Sequence, residues 1–384
     1  MTTAQANREN TTVVVGAGPG GLAVGAVLAQ LGLPATILER ADRVAASWHS
    51  YYEGLRLNSP RRHSSLPGLP IDSNCGQWPL RNEMISYFER YARHHGLQVS
   101  FGQEVRRISR EGGQWRVSTS TGELHAAQVV LATGKNEQPV LPGWPGSADF
   151  PGELLHAREY RNAEPYRGKS VLVVGCGSSA VDIALELVAT GARQVWMSVR
   201  TPPLILAPQR LGVPADDLAQ LIKRAPAFLG PLFDQVSLAA HRRHGDLTRY
   251  GLPAPAEGVV SAWRARGHGA TIDRGIVAAI KAGDVQIVAA VAAFEGDDAV
   301  LADHTRIAPD VVIAATGQRP SLEPLVGDLG VLGADGRPVV HGAECSRRAP
   351  GLYFIGYRLI PGQLPDMTRD ASRIARRIEA GSRK

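Results

Sequence analysis

Short runs of β-branched and aliphatic residues recur along the chain, and glycines follow each of them. Residues 12–15 (Thr-Val-Val-Val) form such a run, too short for a helix and apolar after its first residue, which predicts a buried strand. Gly16-Ala17-Gly18-Pro19-Gly20-Gly21 follows. The apolar stretch 22–31 then predicts a helix, stopped by Gly32. Residues 35–38 predict a second strand, with Glu39 at its end. The same succession returns far downstream. Residues 171–174 predict a strand, Gly175-Cys176-Gly177-Ser178-Ser179-Ala180 a turn, 181–188 a helix, and 194–199 a strand that ends at Arg200.

Both halves close alike, on Val129-Val130-Leu131-Ala132-Thr133-Gly134 and on Val311-Val312-Ile313-Ala314-Ala315-Thr316-Gly317. Pro139, Pro142, Pro145 and Pro151 lie between the halves, where neither a helix nor a central strand can run, and mark a boundary. Residues 201–270 interrupt the second half. They are rich in Pro, Leu and Ala, with Phe228, Phe233 and Trp263, and predict helices that either cover that half or wall a pocket. After the second closing strand, 351–356 predicts one more buried strand and 367–380 a terminal helix, both expected to return to the first half.

A glycine loop that follows a buried strand and opens a helix is suited to a dinucleotide. The first glycine permits the turn, the second lets the backbone approach a pyrophosphate, and the third position (Gly21, Ala180) lets helix pack on strand. The helix N-terminus offers unpaired N–H groups to the phosphates. Two such units in one chain give the expected fold class: α/β, with two Rossmann-like dinucleotide-binding domains. An FAD domain (1–160 and 319–384) would carry an inserted NADPH domain (161–318), with 201–270 a helical excursion. Glu39 separates the cofactors, because a carboxylate there accepts from ribose hydroxyls and repels a 2′-phosphate, which suits FAD. The second unit has Ser198 and Arg200 instead. Arg200 can grip a 2′-phosphate through paired charge-assisted hydrogen bonds, which favours NADPH over NADH.

Composition narrows the partners. The chain has 384 residues, long enough for two cores, with 44% hydrophobic and 20% charged residues. Its net charge of +6 fits anionic cofactors or substrates, yet no basic run interleaved with aromatics appears, so no nucleic-acid partner is expected. Three cysteines (Cys75, Cys176, Cys345) lie far apart with no CxxC, so neither a zinc site nor a redox dithiol is suggested, and a cytoplasmic setting fits. Residues 1–10 lack the apolar core of a secretory signal. No apolar run reaches the ~20 residues of a membrane helix, so no membrane partner is expected. The oligomeric state stays open, a homodimer included.

The stretch Phe150-Pro151-Gly152-Glu153-Leu154-Leu155-His156-Ala157-Arg158-Glu159-Tyr160 has the spacing FxGxxxHxxxY. Placed between two glycine loops, it resembles the fingerprint of the flavin-containing monooxygenases. Residues 73–95, 166–177 and 271–288 are similar to segments of YUCCA-type members, and Tyr160 separates the motif from that of the related Baeyer–Villiger enzymes. The resemblance implies a C4a-(hydro)peroxyflavin, formed from NADPH-reduced FAD and O2, that inserts one oxygen atom into a small organic substrate: an amine, sulfide, ketone or aryl-2-oxo acid. It implies that Ser47 and Trp48 sit near FAD, although Ala45-Ala46 replace the glycines usual before them. It implies that Asn58, before Pro60, lies where flavin and nicotinamide meet and acts on the reaction there. Pro19, Gly20, Val105, Thr133 and Gly134 join the expected FAD set, and Gly175, Gly177, Ser178, Ser179 and His156 the NADPH set, with His156 ordering the linker. No protein general base is expected. A disulfide reductase is set aside for want of a cysteine pair. An NADPH oxidase releasing H2O2 and a non-catalytic flavin-binding redox sensor are the alternatives.

Overall fold

The apolar runs that open each half become the central strands of two five-stranded parallel sheets. The computed structural model describes residues 11–210, 212–267, 270–359 and 362–382, so the reading of 1–10 lies outside the described residues. In the first sheet β1 (Thr12–Val15) lies between β2 (Ala35–Leu38) and β7 (Gln128–Leu131), with Thr12 level with both Ala35 and Gln128. β3 (Val99–Ser100) extends the sheet beyond β2, and β18 (Leu352–Phe354) beyond β7. In the second, β10 (Ser170–Val174) lies between β11 (Gln194–Ser198) and β16 (Val311–Ala314). Its outer strands are β12 (Gln286–Val288) and β9 (Glu153–His156). Parallel strands covered on both faces bury every side chain, as all of β1 and β10 do.

The helices α1 (Pro19–Gln30) and α3 (Ser178–Thr190) start three residues before the 22 and 181 expected from apolar periodicity. Gly18 and Gly177 are their N-caps, and Pro19 occupies the first turn, where its missing N–H costs no helical bond. The loops' small residues are thus already helix.

Each half also carries a three-stranded antiparallel meander that the sequence did not announce. The first is β4 (Val105–Glu111), β5 (Gln114–Thr119) and β6 (Glu123–Ala126); the second is β13 (Val291–Glu295), β14 (Asp298–Leu301) and β15 (Arg306–Ile307). Register shifts at Val105/Arg107 and Val291/Ala293 interrupt the two-residue alternation that would have marked them.

The linker corrects one boundary. β9 pairs with β16 (Glu153↔Val311, His156↔Ala314), so the fingerprint belongs to the second sheet and the first half ends before 153, not at 160. The chain passes between the halves on an antiparallel pair, β8 (Gln138–Pro139) with β17 (Gln318–Arg319). The C-terminal segment returns to the first half, as expected. β18 completes its sheet, and α8 (Gln363–Ser382) packs against α1. Leu22, Ala23, Ala26, Ala371, Ile374, Ala375 and Ile378 share that buried core. Among the described residues no helix is long and apolar enough to cross a membrane.

Ile374 is fully buried between α8 and α1. Ile374→Ala is expected to cost about 2–5 kcal/mol through lost transfer energy and an unfilled cavity. Equilibrium denaturation in urea checks this; a loss below about 1 kcal/mol would mean that the terminal helix is not integral to the core.

Candidate functional site

The glycine loops divide their demands between the protein and a ligand. A side chain at Gly16 (φ +104°) would stand 2.6 Å from the Ala132 carbonyl oxygen, and one at Gly21 would run into the carbonyl of Gly16 itself. These two glycines are required by the fold. Gly18 is not. Its φ of −77° suits any residue, and a Cβ there meets nothing within 4 Å. The second loop repeats the division: a Cβ at Gly175 meets Ala315 O at 2.6 Å, and one at Gly177 meets nothing. Neither α1 nor α3 has a side-chain N-cap, so the N–H groups of their first turns, from Gly20 in α1 and from Ser178 in α3, have no side-chain partner at the cap. Bare backbone with room above a helix N-terminus fits a pyrophosphate in both loops.

The ribose ends are less alike. Glu39 is buried, and its carboxylate accepts from the amides of Ala17 (2.8 Å) and Ala41 (3.0 Å). Those bonds fix it at the loop, with lone pairs left for ribose hydroxyls. Val105 packs its side chain into the core beside Val13, Val15 and Leu38, so it offers a ligand only its main chain. Ser198 must be corrected. It is buried, and its hydroxyl donates to the Ala289 carbonyl at 2.9 Å, so it does not face a nucleotide phosphate. Arg200, two residues on, is exposed and has no ion pair among the described residues.

The N-termini of α1 and α3 both reach one cleft of about 560 Å³. Pro19, Ser47, Trp48, Asn58, Thr133 and Gly134 line it from the first half, and Ser178 and Ser179 from the second. Trp48 is set edge-on against Phe88, with ring centroids 5.0 Å apart. Ala45, just before it, holds a left-handed φ of 52° while fully buried. That conformation favours glycine, so the alanine keeps the glycine-type turn under strain. Thr133 is anchored by Tyr357, whose hydroxyl meets the Thr133 amide (3.0 Å) and Oγ1 (2.8 Å). Complete burial pushes the Tyr357 phenol up to about 12.

His156 does not reach the cleft with a free nitrogen, so its place in the NADPH set is also corrected. Nε2 donates to the Gly317 carbonyl (3.0 Å), and Nδ1 accepts from the Arg158 amide (3.0 Å). Burial lowers its pKa. Gly152 gives Phe150 and the Asp310 carbonyl their close approach, and Tyr160 stacks on Tyr166 at 5.8 Å. The fingerprint therefore packs the linker onto the second sheet.

Three contributors escaped sequence reasoning: Tyr52, Asp182 and Arg274. Asn58 donates from Nδ2 to Ser178 Oγ (3.0 Å) and accepts at Oδ1 from Arg274 (2.7 Å). Arg274 lies 3.8 Å from Asp182, which accepts from the Tyr52 hydroxyl (2.8 Å). Burial raises the Asp182 pKa, against the opposing pull of Arg274 and Tyr52. The hydrogen-bonded partners are separated by 120 residues or more, Arg274 and Asp182 by 92, and no local pattern ties them. Lys135 also lines the cleft, its ammonium pushed down to about 8 by burial and by Arg337.

The excursion walls the same cleft. α4 (Ala215–Arg224) turns Ala215, Leu218, Ala219 and Ile222 toward it. An ion pair of Lys223 with Asp366 (2.6 Å) and a bond between His63 and Asp216 (2.7 Å) pin α4 to the first half. Trp263, on α6 (Val259–Arg266), donates to the Leu359 carbonyl (2.6 Å).

A family model described as pyridine nucleotide-disulphide oxidoreductase matches residues 13–207. The chain is 35% identical over 351 residues to indole-3-pyruvate monooxygenase YUCCA1 of Oryza sativa subsp. japonica, covering 90% of this chain and 86% of that protein. It is 34% identical over 364 residues to probable indole-3-pyruvate monooxygenase YUCCA7 of Arabidopsis thaliana, covering 91% and 83%. Among solved structures, a flavin-containing monooxygenase from Stenotrophomonas maltophilia matches with a TM-score of 0.74 at 26% identity, over 97% of this chain and 99% of that one. Cyclohexanone monooxygenase in an open form shares the fold, with a TM-score of 0.70 at 18% identity, over 98% and 88%. All three cysteines are free, so the disulfide chemistry in the matched model's description has no cysteine pair here.

The division of labour between the glycines is testable with two variants. Gly21→Ala is expected to lower stability by about 1–3 kcal/mol, because the added methyl has no room. Gly18→Ala is expected to leave the thermal midpoint of FAD-stripped protein unchanged while lowering FAD bound per chain. Full FAD content in Gly18→Ala would move the pyrophosphate elsewhere.

Proposed function

The chain belongs to the class B flavin monooxygenases, oxidoreductases whose cofactors are FAD and NADPH, and we propose that it holds FAD in the first glycine loop and NADPH in the second to oxygenate a small organic molecule in the cleft between them. The observation that carries this reading is the arrival of two uncapped helix N-termini, at Pro19 and at Ser178, on one cleft. When bound, FAD and NADPH would supply the redox chemistry: two electrons from NADPH and a proton, with O2, would let one oxygen atom enter the substrate while the other left as water.

The chain's own residues supply binding, orientation and exclusion of water. The N-terminus of α1 receives the FAD pyrophosphate, and Glu39 accepts from the hydroxyls of its adenosine ribose. The N-terminus of α3 receives the NADPH pyrophosphate, and Arg200 pairs with the 2′-phosphate. Asn58 offers a neutral amide N–H where the two cofactors approach each other. The apolar side of α4 closes the cleft against water, and an oxygen-activating site requires that to keep its product from being lost as H2O2. None of these roles asks for a general base. Because the relatives above are named for indole-3-pyruvate, an aryl-2-oxo acid is the first substrate class to assay, followed by sulfides, amines and ketones.

The test follows NADPH oxidation with each class while measuring oxygenated product and H2O2. Product should account for most of the NADPH with at least one class. Stoichiometric H2O2 with every candidate would replace the monooxygenase by an NADPH oxidase. The cofactor assignment has its own check. Arg200→Ala should raise KM for NADPH about 10- to 100-fold, the worth of charge-assisted bonds of about 1.5–3 kcal/mol, and leave KM for NADH nearly unchanged. An unaltered preference would place the 2′-phosphate on other residues.

A further inference from the structure

Arg274 stands just before α7 (Ile276–Ala282) in the second half and grips the first half across the cleft. Its Nη2 donates to the carbonyls of Arg56 (2.8 Å) and Leu57 (2.9 Å) as well as to Asn58 Oδ1. Nη1 faces Asp182, with the side chains only 18% and 12% exposed, so the counter-charge is partly shielded from solvent and keeps the guanidinium in place. Tyr52, from the first half, ties off Asp182 from the other side.

This arrangement decides something the neighbours of Asn58 cannot. An amide side chain carries a donor end and an acceptor end of nearly equal shape, and only its partners choose which way it points. Ser178 does not choose, because its hydroxyl both donates and accepts. Arg274 only donates, so Oδ1 must face it. Nδ2 then faces Ser178, and its second N–H is left for the cleft. If the amide flipped, an oxygen would stand where the donor is needed.

We propose that Arg274 is a positioning residue that, through its hydrogen bonds to Oδ1 and the 56–57 carbonyls, holds the Asn58 amide with an N–H rather than a C=O toward the cofactors. The proposal rests on the reading above, in which Asn58 meets both cofactors, and it extends that reading to a residue outside the cleft lining. Arg56, Leu57 and Asn58 line the cleft, whereas Arg274 supports them from behind.

The diagnostic variant is Arg274→Lys. It keeps a cation, but one ammonium cannot at once face Asp182, as Nη1 does, and reach the two carbonyls and Oδ1, as Nη2 does from the other arm of the planar fork. FAD content and thermal midpoint should stay at wild-type values. Anaerobic flavin reduction by NADPH, followed by stopped-flow absorbance, should slow about three- to tenfold, the range that one neutral hydrogen bond supports. H2O2 released per NADPH should rise. Added to Asn58→Leu, Arg274→Lys should change nothing further, since both act through one amide. Wild-type reduction and H2O2 yield in Arg274→Lys, or effects that multiply in the double variant, would overturn the proposal. If Arg274→Lys loses FAD or stability, Asn58→Asp carries the test, because it keeps a partner for Arg274 while offering only acceptor oxygens. It should show the same slowed reduction and raised H2O2, and wild-type behaviour there would overturn the proposal. Anaerobic reduction is read without any substrate, so a wild type that proves to be an oxidase leaves this test intact.

Discussion

A strand that turns into a helix within a few residues must bring the first helical turn against the strand's own last carbonyl, and both halves are built around that crowding. At Gly16 and Gly21 the two backbones leave no room for a side chain. The contact sets the angle of α1 on the sheet. It also points the helix N-terminus, with its unpaired N–H groups, out beyond the ends of the strands. The second half solves the problem with Gly175 and Ala180, where a methyl is accommodated. The placement of both helix N-termini at the cleft follows from this geometry.

Two such halves make one site only if something joins them. The joint is polar. Asn58 bonds to Ser178 at the start of α3, while Arg274, Asp182 and Tyr52 interlock across the same seam. A polar joint of this kind is directional, so it sets how the cleft walls face each other as well as holding them together. The halves also meet through a short two-stranded ribbon at 138–139 and 318–319 and through the contacts of 201–270 with the first half.

The excursion and the linker show opposite relations between appearance and role. Residues 201–270 carry no motif, yet α4 supplies the apolar wall of the cleft and is pinned to the terminal helix by Lys223 and Asp366. The fingerprint from Phe150 to Tyr160 is the most recognisable stretch of the chain, yet His156 spends both ring nitrogens on backbone groups and Tyr160 is buried in the core. Its regularity reflects the packing of β9 on the second sheet.

Much of this protein was legible along the chain. Runs such as 12–15 and 171–174 are apolar enough to be central parallel strands wherever they fall, and glycine loops have few backbone alternatives, so the α/β plan and the pairing of loop to helix were determined locally. Glu39 lies at a fixed offset from its loop, and the structure holds its carboxylate there on the amides of Ala17 and Ala41. The meanders were hidden by irregular register at Val105 and Val291, and the strand Glu153–His156 was assigned to the wrong half because sequence does not reveal which sheet edge is vacant. Ser198 matched its expected position, but only the fold turned its hydroxyl inward to Ala289. Tyr52, Asp182 and Arg274 were invisible in the sequence, because a hydrogen bond is decided by distance and direction, and residues this far apart along the chain acquire both only when the two halves close on each other.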